Sequence, residues 1–78
     1  MPNEAAFTLF HTDMCHLCEQ AQELIASLGI MYNTQDICES DVLAERYGTR
    51  IPVLMRQRDH AELNWPFDIA QLTQFIGA

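Results

Sequence analysis

The chain has 78 residues, with 4 Lys+Arg against 11 Asp+Glu and a formal charge of −7. At that length a single domain over residues 1–78 is the only reasonable organisation, and 49% hydrophobic content belongs to a packed globule, not to an acidic disordered tail. All four bases are arginines, too few for the cationic face that nucleic acid or an anionic membrane surface requires.

Met1-Pro2-Asn3-Glu4 has no basic or apolar leader character, and no stretch approaches a membrane span, so the cytoplasm is the expected compartment. Residues 6–11 predict a strand, with Phe7 and Leu9 alternating with Thr8 and followed by Phe10. Thr12-Asp13-Met14 is a break. Leu17, Ala21, Leu24, Ile25 and Leu28 then share one helical face, so a helix is expected over about 15–28, with Gly29 suited to the position just past its end. Residues 30–37 read as a second strand with a polar interior from Asn33 to Asp36. Ser40 can cap a short helix over 41–47, which Gly48 ends.

Pro52 opens a third strand over 53–55, since proline is tolerated at a strand start. Residues 56–60 predict a turn and 61–63 a fourth strand. Asp68 caps a last helix, with Ile69, Leu72, Phe75 and Ile76 on one face and Gly77 at its end. The order β-α-β-α-β-β-α implies an α/β domain. A parallel β-α-β unit with a right-handed crossover is closed by an antiparallel hairpin, giving a four-strand mixed sheet with helices on both faces.

The chemistry concentrates in Cys15-His16-Leu17-Cys18, directly after a strand and a short loop, at the start of a helix. Cysteines three apart on a helix are neighbours and can form a disulfide. The first sits where unpaired backbone N–H groups and the helix dipole favour a thiolate, which is the nucleophile. Cys15 is therefore expected to attack a substrate disulfide and Cys18 to resolve the mixed disulfide. Two other readings stay open: half of a zinc site, or two structural thiols. No second C-x-x-C or H-x-x-x-H accompanies the pair, although His11 and His16 could supply nitrogens, and no metal ligands are assigned. His16 is either an exposed first-turn residue or a partial positive charge beside Cys15, opposed by Asp13 and Glu19. Cys38 is expected to be small, partly buried and without a role, with an accessory oxidation site as the alternative. Met14 and Trp65 are expected in core or rim packing first, and as a substrate-facing apolar patch second.

Three segments carry a resemblance to the glutaredoxin-like branch of the thioredoxin superfamily. They are Phe7-Thr8-Leu9-Phe10-His11 with Cys15-His16-Leu17-Cys18, then Tyr47 through Leu54, then Glu62 through Asp68. The match is nearest to a small glutaredoxin-like subfamily with this C-H-L-C pair. The resemblance implies a thioredoxin-like fold of glutaredoxin size, with Cys15 as nucleophile and Cys18 as resolving thiol. It also implies that Pro52 is a cis-proline facing the cysteines, and that Ile51 offers its backbone N–H and C=O to an extended substrate. Thr12, His16 and Arg50 are the further candidates for substrate binding.

The departures from the family pattern bear on glutathione. Thr12 stands where glutaredoxins carry a lysine, His16-Leu17 where they carry Pro-Tyr, and Asn64-Trp65-Pro66-Phe67-Asp68 where they carry a Gly-Gly…Asp segment. Glutathione, itself anionic, is expected to be handled poorly, with Arg46 and Arg50 the only nearby cations to compensate.

The leading expectation is a disulfide oxidoreductase acting by a dithiol mechanism on a protein or small-molecule disulfide. No resident cofactor is expected; glutathione is at most a co-substrate. The electron donor is glutathione or a reductase, and the chain is expected to be monomeric. The rivals are a metal or iron–sulfur module using the same cysteines, and a non-enzymatic binding domain that keeps the fold.

Overall fold

The structure, a computed structural model, describes residues 6–77. The elements run β1 Phe7–His11, α1 His16–Ser27, β2 Tyr32–Asp36, α2 Asp41–Tyr47, β3 Val53–Arg56, β4 Glu62–Asn64 and α3 Ile69–Gly77. The strand order is β2-β1-β3-β4. β1 and β2 are parallel, while β1–β3 and β3–β4 are antiparallel. This is the expected mixed sheet, and every predicted element is present within about two residues of its expected bounds.

Side chains alternate across β1 and β3, and the sheet therefore has two cores. Phe7, Leu9 and Leu54 meet Ala21 and Ile25 of α1, Phe67, and Leu72 of α3. Phe10 and Val53 meet Ile37 and Tyr47 on the opposite face. There the Phe10 and Tyr47 rings stack with centroids 4.2 Å apart.

The helix ends follow from local chemistry. Gly29 takes φ +68°, the left-handed conformation that glycine adopts without a Cβ penalty. Gly48 stays right-handed, and its need is steric: a Cβ there would lie 2.5 Å from the Ala44 carbonyl oxygen. The Ser40 hydroxyl accepts from the Leu43 N–H, as its capping role requires. Asp68 and Gln71 form a reciprocal capping box: Gln71 N–H donates to Asp68 Oδ1 (2.8 Å), and Asp68 N–H donates to Gln71 Oε1 (3.0 Å).

The second strand is shorter than expected. Ile37–Glu39 is a single 3-10 turn, because the Asp36 carboxylate accepts the Cys38 N–H at 2.9 Å and caps that turn. β2 is an edge strand, so Asn33 and Thr34 face solvent and its polar interior carries no burial cost.

Candidate functional site

Pairing register gathers the predicted site residues at one end of the sheet. Phe10 pairs with Val53 and Val53 with Asn64, so the segments just after β1, just before β3 and just after β4 emerge side by side. These carry Thr12–Cys15, Ile51-Pro52 and Trp65-Pro66. His11 pairs with Asp36, which brings the Cys38 turn to the same end.

Cys15 is the N-cap of α1, in extended conformation, and is joined to Cys18 by a disulfide with Cα atoms 5.2 Å apart. The Cys18 N–H donates to Cys15 Sγ at 3.2 Å. Cys18 is 1% exposed, whereas Cys15 is partly exposed, so the outward-facing sulfur belongs to Cys15. On reduction, the same N–H and the helix N-terminus would stabilise negative charge on that sulfur.

The loop before the pair places Met14 at φ +59° with 98% of its surface exposed, which corrects the packing expected of it. Trp65 does pack, half-buried, against the α1/α3 core and edge-on to Phe67 at 5.0 Å. His16 is exposed, with Nδ1 3.9 Å from Glu19 Oε1.

A groove of about 450 Å³ runs beside the pair, lined by Leu17, Thr49, Arg50, Ile51, Asn64 and Trp65. It unites Leu17, from between the two cysteines, with Ile51, whose peptide bond to the buried Pro52 is cis. Half of the pairing expected of Ile51 is already spent. The turn after α2 directs both the Arg50 N–H (2.8 Å) and the Ile51 N–H (3.1 Å) onto the Tyr47 carbonyl, which leaves Ile51's own carbonyl as the group to offer a substrate.

The two remaining predicted contributors have partners within the protein. Thr12 Oγ1 lies 3.2 Å from Cys38 Sγ, and Cys38 is exposed, not partly buried as expected. The neighbouring Asp36 carboxyl is held below its ordinary range, first by the Cys38 backbone N–H. Arg50 Nη2 contacts Glu62 Oε1 at 2.5 Å and Asn64 Oδ1 at 3.0 Å, with the guanidinium 5.2 Å from the Tyr47 ring centroid. Asp68 spends a carboxylate oxygen on capping α3.

Sequence reasoning missed Glu62, Tyr47 and the second cis bond, Trp65–Pro66. Glu62 accepts from Arg50 and, at 2.7 Å, from the Tyr47 hydroxyl. Arg50 foremost, then Tyr47, holds its carboxyl below the ordinary range. Burial, and then Glu62, pushes the Tyr47 hydroxyl up. One signal was present: a lone acid two residues before Asn64 on a short strand must share that residue's face.

Among the described residues, no group of three His, Cys, Asp or Glu side chains is arranged to hold a metal ion, and no helix is long and apolar enough to cross a membrane.

Residues 6–77 match the model of the family described as Glutaredoxin-like domain (DUF836). The chain belongs to this family. It is similar to protein XcR50 from X. campestris, whose X-ray structure is 37% identical with a TM-score of 0.85 over 92% of this chain and 96% of that one. The solution structure of the same protein gives 37% identity and a TM-score of 0.83, covering 92% of each chain. Protein Ne2328 from Nitrosomonas europaea is 22% identical with a TM-score of 0.77, over 96% of this chain and 98% of that one, a likeness of fold. No curated protein matches the chain. This glutaredoxin-like protein thus has the family's thioredoxin-like fold and a close cysteine pair suited to redox chemistry.

Proposed function

We propose that this glutaredoxin-like protein is a thiol–disulfide oxidoreductase that reduces a protein or small-molecule disulfide through Cys15 and Cys18. The observation that carries the reading is the asymmetry of the pair: an outer sulfur at the start of α1, held by the Cys18 N–H, and an inner sulfur sealed from solvent. The Cys15 thiolate attacks one sulfur of the substrate disulfide, forming a mixed disulfide and expelling the other sulfur as a thiolate that takes up a proton. Cys18, deprotonated, then attacks Cys15 Sγ. The second substrate thiolate leaves, the Cys15–Cys18 disulfide forms, and two electrons have passed to the substrate. Two molecules of glutathione, leaving as glutathione disulfide, or the dithiol of a reductase, itself oxidised to a disulfide, return the pair to its reduced state.

Leu17, Ile51 and Trp65 give the groove apolar walls, and the Ile51 carbonyl can accept one hydrogen bond from an extended substrate backbone. Thr12 and His16 flank the pair as further contacts. The groove's walls suit a neutral peptide segment better than glutathione. A monomer in the reducing cytoplasm fits this use of cysteines.

The test is turnover of a peptide disulfide with dithiothreitol as reductant. Cys15→Ser should abolish turnover, while Cys18→Ser should accumulate a mixed disulfide on Cys15 that mass spectrometry detects. Turnover that survives Cys15→Ser would refute the assignment.

A further inference from the structure

Among the described residues Arg50 is the one charged residue lining the groove, in a protein of net charge −7. A cation beside a reactive disulfide would ordinarily recruit anionic substrates. Here that cation is already answered. Its Nη2 donates to both Glu62 and Asn64, and Glu62 is fixed from its other oxygen by the Tyr47 hydroxyl. The Arg50 and Glu62 side chains are 37% and 26% exposed; Arg50 lines both the groove and the adjoining cleft over the α2 face, and Glu62 meets it from the cleft side. Among the described residues Arg50 makes no hydrogen bond through Nε or Nη1. The guanidinium thus keeps donors while its charge is cancelled. The other nearby arginine, Arg46, lines that cleft together with Glu62 and Arg50 and does not line the groove.

We propose that Glu62 is a specificity-determining residue: by neutralising Arg50 it makes the groove select uncharged disulfide substrates over anionic ones. The inference rests on the oxidoreductase reading and adds the substrate class. Glu62 touches no substrate; it acts through Arg50. Its removal should therefore change substrate preference through KM and not through kcat. The two partners should act with opposite sign. Without Glu62, Arg50 becomes an open cation. Without Arg50, Glu62 becomes an anion open to the cleft that adjoins the groove.

The experiment compares two mixed disulfides of one neutral peptide, the first with glutathione and the second with N-acetylcysteine amide, using dithiothreitol as reductant. Glu62→Gln keeps an acceptor for the Tyr47 hydroxyl. It should lower KM for the glutathione substrate relative to the neutral one by roughly threefold to fivefold, the scale of a part-exposed ion pair. Salt near 1 M, where the Debye length falls to about 3 Å, should erase that gain. Arg50→Gln should shift the preference further towards the neutral substrate, and Glu62→Gln with Arg50→Gln should return it near the parent value. Glu23→Gln on α1 makes the same change in net charge away from the groove and should leave the preference unmoved. An unchanged preference in Glu62→Gln, a shift of equal size in Glu23→Gln, or a gain that persists in the double variant would overturn the proposal. If the parent protein turns over neither substrate, the oxidoreductase reading itself fails, a result distinct from all of these.

Discussion

The two faces of the sheet are built from different materials. On the α1/α3 face, Phe7, Leu9 and Leu54 meet an apolar layer that runs from Ala21 to Leu72. An arginine closes its rim at the end far from the cysteines. Arg56 grips Asp59 through two nitrogens at 3.0 and 2.8 Å, donates to the Phe75 carbonyl and lies over the Phe75 ring. On the α2 face the apolar cluster is smaller, and a hydrogen-bonded chain of Tyr47, Glu62, Arg50 and Asn64 continues it towards the groove. Arg56 commits three nitrogens to the fold, while Arg50 commits one. The first face is organised to hold the molecule together. The second leads through the turn at Tyr47–Ile51 into the groove, and its polar pairing ties the smaller core to the groove wall.

Neighbouring residues of β3 make the sharpest test, since Leu54 and Val53 are both 0% exposed and point to opposite faces. Leu54→Ala should cost about 2–5 kcal/mol, the usual range for truncating a fully buried leucine. Val53→Ala removes less surface from a smaller cluster and should cost roughly 1.5 kcal/mol. Urea denaturation followed by circular dichroism would measure both. Equal losses would mean that the α2 face carries as much of the stability as its partner.

The two faces also differed in how far the sequence disclosed them. The α1/α3 face was legible because hydrophobic spacing declares a buried helix stripe: Ala21 through Leu28 marked α1 and Leu72 through Ile76 marked α3, while Leu17 and Ile69, expected on the same faces, stay exposed. Cys15 and Cys18 were legible for the same reason, since a strand, a loop and a helix start fix where an i, i+3 pair must lie. The helix on the α2 face was legible but its polar pairing was not, because those contacts join residues 12 and 15 apart through sheet register, and local spacing carries no record of register. Glu62 read as one residue of a short strand, and Arg50 as a cation of unspecified direction. The proximity of Thr12 to Cys38, 26 residues apart, was hidden in the same way. The Ile51 N–H was misread for a different reason. The turn closing α2 has its own hydrogen-bond demand, and the Tyr47 carbonyl accepts that N–H.

A smaller effect separates stacking from polar pairing within the α2 face. Tyr47→Phe keeps the ring on Phe10 and removes only the O–H that donates to Glu62 at 2.7 Å. Glu62 retains Arg50, so no buried charge is stranded. The loss should be about 1 kcal/mol, near the middle of the range for one hydrogen bond. Thermal and urea unfolding of the variant would read it. A loss of the size expected for Leu54→Ala would show that the polar chain carries load that belongs to the apolar face in this comparison.

The smallest expected effect is a dependence on acid, and it compares the two arginines through their carboxylates. Arg56 foremost, then the Ala61 N–H, holds Asp59 down to about 2 from an ordinary 3.8. A carboxyl whose folded value is depressed adds stability at every pH above its unfolded value, and that contribution drains away as pH falls through the folded one. For Asp59 the window therefore runs from about pH 4 down to about 2. Glu62 is depressed in the same direction from 4.5, so its loss begins slightly higher. Both pairs are part-exposed, and salt screens them, so the slope should be shallow and shallower still in high salt. Melting temperatures taken from pH 5 to pH 2 should fall for the parent protein and fall less for Asp59→Asn, whose side chain has no proton to gain. Parallel curves would mean that Asp59 adds nothing at neutral pH, and that Arg56 closes the α1/α3 face through Phe75 alone.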